Sequence, residues 1–270
     1  MRSGTSSFAG SEGRVAYRWW RPAGVVRRLV VVVHGYAEHG GRYAHLAEHL
    51  VGHDAAVYAP DHLGHGFSDG ERALIADFEH VVDDLETLVE IARAEPDIGA
   101  APLVVIGHSM GGLLCARFAQ RNSDAAAGLV FLGAVLGDWP WAREVLALPE
   151  LPAVDSDPYG MSRDLEVCRT YADDPLVYHG TYRRELLEAE VACLDRMRSE
   201  LGRVTAPVLF LHGAEDPFVP YGPSLAAVQG MASRDVTEKL YAGAKHELVN
   251  ETNRDEVMAD VANFVERVTC

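Results

Sequence analysis

The sequence predicts an α/β protein, with a mostly parallel central sheet flanked by helices and a small cap inserted in the second half of the chain. Three observations predict this class. Short aliphatic runs alternate with longer amphipathic segments, the rhythm of successive β-α-β units. The aliphatic runs are near-continuous rather than alternating, as expected of strands covered on both faces. The rhythm stops after Gly133, gives way to a stretch rich in Trp and Pro, and resumes near residue 208.

Taken in order, residues 15–19 roughly alternate apolar and polar side chains, as in an edge strand. Residues 29–33 are a β-branched run that reads as a buried strand. Residues 43–52 have helical spacing, with Leu46, Leu50 and Val51 on one face. A short strand over 55–59 stops at Pro60. Residues 78–94 form an amphipathic helix with Val81, Val82, Leu85, Leu88, Val89 and Ile91 as its apolar stripe. A strand over 103–106, a helix over 110–120 and a strand over 128–132 follow. From 137 to about 180 the chain carries Trp139, Pro140, Trp141, Pro149, Pro152, Pro158 and Pro175, which suits an irregular insertion with short helices. A longer helix is expected over 184–199. The closing elements are a strand over 208–211, a helix over 224–231, a strand over 239–241 and a helix over 254–268. The expected organisation is one domain, 1–270, with a cap over about 134–190. Placed above the carboxyl ends of the strands, such a cap would cover the edge where open α/β sheets bind ligands.

Bulk composition narrows the function classes. With 48% hydrophobic and 24% charged residues over 270 positions, the chain has ordinary globular composition. Its formal net charge of −16 and the lack of a Lys/Arg cluster argue against nucleic-acid partners and against stable docking on anionic lipid. The four cysteines, Cys115, Cys168, Cys193 and Cys270, form no C-x-x-C pair and read as free thiols of a reducing compartment. Residues 1–13 are polar and lack the apolar core of a signal peptide. The longest purely aliphatic run, 29–33, is far too short to span a bilayer. A cytoplasmic location is the expectation.

The chemistry is read from Gly107-His108-Ser109-Met110-Gly111. Gly-x-Ser-x-Gly alone is a weak signal, but here it directly follows an aliphatic strand and directly precedes an apolar helix. That is the context of a tight strand-to-helix turn that exposes a nucleophilic serine. A hydroxyl needs a base to take its proton, and the base needs a carboxylate to fix its tautomer. Asp216 and His246 follow in the order Ser, Asp, His, each just after an expected strand. Glu215 is the alternative acid, although Asp followed by Pro217 fits better. Backbone donors for an oxyanion are expected from the N–H of Met110, behind Ser109, and of Tyr36, in the glycine-rich loop after the strand over 29–33. Trp139, Trp141, Leu146 and Leu148 are candidates for lining an acyl-chain pocket, or for packing the cap on the core. No metal or cofactor is needed. His45, His49 and His53 are spaced four apart beside Glu48, but their order is not that of a zinc helix, and a solvated helix face is the expectation.

The chain resembles the monoacylglycerol lipase family, within the serine aminopeptidase S33-like α/β-hydrolases, and is closest to its bacterial members. The resemblance is carried by His34-Gly35-Tyr36-Ala37-Glu38-His39 with Arg42-Tyr43, by Asp61-His62-Leu63-Gly64-His65-Gly66-Phe67-Ser68, by Gly107-His108-Ser109-Met110-Gly111-Gly112, and by Tyr241-Ala242-Gly243-Ala244-Lys245-His246-Glu247 with Asn250-Glu251. Asp174-Pro175-Leu176-Val177 with His179-Gly180 also looks like the segment that follows the cap in bacterial members. It spans residues 17–268. It implies the α/β-hydrolase fold, the triad Ser109, Asp216 and His246, oxyanion donors at Tyr36 and Met110, and a structural role for the 61–68 loop, with no catalysis by His62 or His65. The chain departs from the pattern in two places. The family usually has a smaller or aliphatic residue at the position of Tyr36. The cap is shorter than in typical bacterial members and carries Asp138, Glu144, Glu150, Asp155 and Asp157 beside its tryptophans.

The expected activity is hydrolysis of a medium-to-long-chain acyl ester, a monoacylglycerol above all, through an acyl-enzyme on Ser109. The partner is a small-molecule ester, with transient lipid-surface contact through the cap. A lysophospholipase, a small-ester carboxylesterase or an aminopeptidase would use the same triad, and an acidic cap could hold a substrate ammonium. A non-catalytic ligand-binding protein of the same fold is the reading from another class, and the intact triad argues against it.

Overall fold

The computed structural model describes residues 1–151 and 157–270. Pro152 and Asp155 lie outside them. Eight strands form one sheet: β1 Arg2–Ala9, β2 Arg14–Arg21, β3 Arg28–Val33, β4 Ala55–Pro60, β5 Leu103–His108, β6 Ala126–Leu132, β7 Val208–Gly213 and β8 Val236–Tyr241. Their order is β1-β2-β4-β3-β5-β6-β7-β8. The pairs β1·β2 and β2·β4 are antiparallel, and the rest are parallel.

The helices are α1 Ala44–Val51, α2 Phe78–Arg93, α3 Met110–Arg121, α4 Pro140–Leu146, α5 Leu165–Asp173, α6 Arg184–Ser199, α7 Tyr221–Gln229 and α8 Arg254–Val268. Strand alternation divides the core into two layers. Leu29, Val31 and Val33 face α2 and α3 with Val105, Phe131 and Phe210. Val30 and Val32 face α1 and α8 with Val104, Ile106, Val130 and Leu209. Every residue of β3 is buried, which explains the unbroken aliphatic run over 29–33. Fully burying each Val or Leu contributes about 1.5–3 kcal/mol.

One expectation is corrected at the amino end. The strand read as an edge is β2, and the edge is β1, formed by the Ser-rich residues 2–9. Intrinsic propensity there is poor. The strand forms because β2 offers it a full ladder of backbone partners and because small residues fit beneath β2's aromatics. A Cβ at Gly4 would lie 2.8 Å from the Trp19 ring.

Between β6 and β7 the chain leaves the sheet and builds α4, α5 and α6. Helix α6 packs on α3, α4 and α2. Its buried face is Leu186, Leu187, Glu190, Cys193, Leu194 and Met197. That face is apolar except at Glu190. Arg184 ties α6 to the segment after α4 by donating to the carbonyls of Leu146 (2.9 Å) and Leu148 (2.6 Å).

Candidate active site

Strand β5 is followed directly by helix α3, with Ser109 as the single residue of the turn. Its φ of 51° and ψ of −122° place a side-chain-bearing residue in a region normally kept for glycine. The flanking glycines make this turn sterically feasible. A Cβ at Gly107 would lie 2.4 Å from the Gly111 carbonyl oxygen, and one at Gly111 would lie 2.2 Å from that of Val33. The backbone of Ser109 is held on both sides, its N–H donating to Leu132 O at 3.1 Å and its carbonyl accepting from Val135 N–H at 3.1 Å.

Asp216 lies beyond the carboxyl end of β7. Its Oδ1 accepts from the N–H groups of Phe218 (2.9 Å) and Val219 (3.1 Å). Its Oδ2 stands 2.7 Å from His246 Nδ1. Burial works against ionisation of Asp216, yet His246 and the two amides outweigh it and hold the carboxyl below the usual carboxylate range. Burial likewise disfavours an imidazolium at His246, but the Asp216 carboxylate, with Glu247 and Glu38 behind it, raises the ring above the ordinary histidine value. The contact with Asp216 fixes the proton on Nδ1, leaving Nε2 as the nitrogen available to the Ser109 hydroxyl. The His246 loop is itself anchored. Glu251 accepts from Lys245 N–H at 3.0 Å and pairs with Arg163 at 2.9 Å, and Glu247 N–H donates to Met161 O at 2.8 Å.

The loop after β3 is organised by side chains. The Gly35 N–H donates to Glu38 Oε1 at 2.7 Å, and the Gly35 carbonyl accepts from His34 Nδ1–H at 2.7 Å. That carbonyl shares its peptide plane with the Tyr36 N–H, so fixing one aims the other. His34 Nε2 in turn accepts from His62 N–H at 2.9 Å, which sets the tautomer. Burial keeps His34 and His62 well on the neutral side, His62 down to about 3. Glu38 also accepts from Tyr43 Oη at 2.6 Å and from Arg42 at 3.2 Å, and Arg42 continues as a two-pronged pair with Glu247. One buried network therefore joins the Tyr36 loop to the His246 loop.

Ser109, His246, Tyr36, Met110 and Trp139 line one cavity, together with Glu190, Tyr182 and Phe218. Asp216 stands behind His246. Three of the residues expected to line an acyl pocket do not reach the cavity. Trp141 stands behind the wall, with its ring 5.3 Å from that of Trp139 and 5.6 Å from that of Tyr182. Leu146 and Leu148 sit at and beyond the end of α4, whose buried face is Ala142 and Val145, and Leu148 is exposed. The acidic alternative, Glu215, is exposed. His45 and His53 of the histidine row are engaged separately, with the Val249 carbonyl at 2.6 Å and Glu266 at 2.8 Å. Among the described residues no group of three or more His, Cys, Asp or Glu side chains could hold a metal ion.

Sequence reading gave no roles to His34, Glu38, Arg42 and Glu247, and overlooked Glu190. The first four lie inside the segments that carry the family resemblance. Glu190 carried a usable signal: it falls on the apolar stripe of α6, where a carboxylate is out of place.

The profile of the family described as "Serine aminopeptidase, S33" matches residues 24–253. A monoacylglycerol lipase of Mycolicibacterium smegmatis is 36% identical over 96% of this chain and 95% of its own length. The human monoglyceride lipase is 32% identical over 87% of this chain and 80% of its own. The crystal structure of a monoacylglycerol lipase from Paleococcus ferrophilus superposes with a TM-score of 0.79 at 26% identity, covering 99% of this chain and all of that one. With that match, those identities and an elbow serine of this geometry, the chain belongs to the serine aminopeptidase S33 family of α/β-hydrolases, among relatives of the monoacylglycerol lipases.

Proposed function

We propose that the protein is a serine ester hydrolase that cleaves monoacylglycerols through an acyl-enzyme on Ser109. The observation that carries this reading is the juxtaposition of a strained, glycine-flanked Ser109 with a His246 whose Nδ1 is 2.7 Å from Asp216. In the first step His246 Nε2 takes the proton of Ser109 as Oγ attacks the ester carbonyl. Asp216 orients the ring and stabilises the imidazolium that forms. The N–H groups of Tyr36 and Met110 receive the developing oxyanion, and Met110 adds the favourable amino end of α3. His246 then hands its proton to the departing glycerol oxygen. Water repeats the cycle and releases the fatty acid. No step calls for a metal or cofactor.

In this reading the chain is one catalytic domain, with residues of about 134–190 as a cap over the site. Trp139 belongs to the acyl-side wall. Exposed Leu148, Tyr159 and Leu165 favour a brief contact of the cap with a lipid surface. Among the described residues no helix is long and apolar enough to cross a membrane. The free thiols of Cys115, Cys168, Cys193 and Cys270 favour the cytoplasm as the site of action.

The test is side-by-side turnover of a monoacylglycerol, a p-nitrophenyl ester series and an aminoacyl anilide. The reading expects both ester classes to be hydrolysed and the anilide to be left intact. Turnover of the anilide alone would replace the lipase with an aminopeptidase.

A further inference from the structure

His246 delivers its proton to the leaving alcohol, so the alcohol lies on the His246 side of the cavity and the acyl group lies on the other. The lining divides the same way. Phe218 stands edge-on to His246 at 5.3 Å and packs with Met161 and Tyr171. Across the cavity, the ring of Tyr36 stacks on Tyr182 at 4.2 Å, and Trp139 and Glu190 complete that wall. The acyl side is aromatic, with two polar exceptions. Glu190 is 1% exposed, and its Oε2 is sealed from solvent with no hydrogen-bond partner among the described residues. The phenol oxygen of Tyr36 is equally buried and has no partner among the described residues either. Both residues line the cavity. An unpaired buried polar group costs about 1–3 kcal/mol. Two such groups on residues of one cavity lining make an incomplete hydrogen-bonding site.

We propose that Glu190 and the Tyr36 hydroxyl form an acyl-side specificity site for a hydroxylated acyl group, whose hydroxyl supplies the missing hydrogen bonds. Burial pushes the Glu190 carboxyl up to about 8, so at neutral pH it is a neutral acid. A neutral carboxyl donates through its O–H and accepts through its carbonyl, which matches the two-way character of an alcohol. A substrate ammonium would instead require Glu190 to give up its proton inside a site whose burial favours the neutral acid. The Tyr36 phenol, also shifted upward, first by burial and then by Tyr178 and Glu190, stays a donor. This inference rests on the acyl-transfer reading above, because that reading decides which side of the cavity holds the acyl group.

The test compares kcat/KM for p-nitrophenyl dodecanoate with that for a series of hydroxydodecanoates in which the hydroxyl is moved stepwise along the chain. A hydroxyphenylpropanoate and a 12-aminododecanoate ester complete the panel. Native enzyme should favour at least one hydroxylated ester over its plain counterpart by about tenfold or more, since a site built to bond a hydroxyl discriminates strongly against its absence. Glu190→Leu should collapse that ratio to near one. Glu190→Gln keeps a donor and an acceptor, and should retain most of the ratio. The rescue by Gln separates recognition from a merely structural role, for which Leu and Gln would scale all substrates alike. Equal rates on plain and hydroxylated esters, or a preference for the amino ester, would overturn the proposal while leaving the esterase reading intact. Failure to turn over any ester, together with no fluorophosphonate labelling of Ser109, would remove the acyl-transfer reading and this inference with it.

Discussion

At the sheet end of the cavity Asp216 accepts from two amides and lies against His246, while Glu38 accepts from Gly35, Tyr43 and Arg42. At the cap end, Glu190 Oε2 and the Tyr36 hydroxyl are buried with no partner among the described residues. Groups that move protons must be held before substrate arrives, because their stabilising power depends on not having to reorganise. Groups that choose a substrate can be left open, since the substrate completes them. On the proposal above, the two ends divide the work: the strand ends carry the chemistry, and Glu190 of α6 with the Tyr36 hydroxyl chooses the acyl group.

The contrast can be broken most sharply at the sheet end. Ser109→Ala should lower kcat by about three to six orders of magnitude with the fold intact by circular dichroism. A loss under tenfold would remove Ser109 as nucleophile. Asp216→Asn should cost about 10⁴ in kcat, because the carboxylate that fixes the His246 tautomer is gone. A change of only a few fold there would mean that another carboxylate orients the ring.

Acid should act at the same end. His246 must be neutral to take a proton, and Asp216, Glu247 and Glu38 raise it above the ordinary value despite burial. The acid limb of kcat/KM should therefore have its midpoint above about 6.5, with a fall of at least about thirtyfold at pH 5 relative to the plateau. A profile flat from pH 5 to 8 would contradict His246 as the base.

The cap end should respond in the opposite sense, with a gain of stability. Glu190→Leu removes a buried unpaired carboxyl and should raise Tm by about 3–10 °C. The pH dependence follows from the direction of the shift. The folded Glu190 carboxyl, at about 8, holds its proton where the unfolded one has lost it, so the native protein loses stability as pH rises through that interval. The gain on substitution should be larger at pH 8 than at pH 5. Differential scanning fluorimetry at both values is sufficient, and a drop in Tm at both would mean that Glu190 holds the cap together.

Much of this division was legible in the sequence because the sheet end is specified locally. A tight elbow demands glycines at fixed offsets, the α/β rhythm demands aliphatic strands, and Asp216 and His246 follow their strands directly, so one-dimensional spacing carries the three-dimensional arrangement. The cap obeys no such spacing. Leu146 and Leu148 are apolar neighbours of Trp141, and only the short span of α4 decides that Leu148 points to solvent. Edge strand β1 was hidden because its stability comes from pairing with β2 rather than from its own Ser-rich residues. Glu190 was hidden because a glutamate in a helix ordinarily faces water, and only the register of Leu186, Leu187, Cys193 and Leu194 shows that it does not.

Ser109 should be the residue that becomes acylated during turnover. Intact-mass spectrometry after incubation with a fluorophosphonate at neutral pH, followed by peptide mapping, tests it directly. The expected result is one adduct per chain, located on Ser109 and abolished by Ser109→Ala. An unmodified chain, or an adduct mapped to any other residue, would remove Ser109 as the nucleophile.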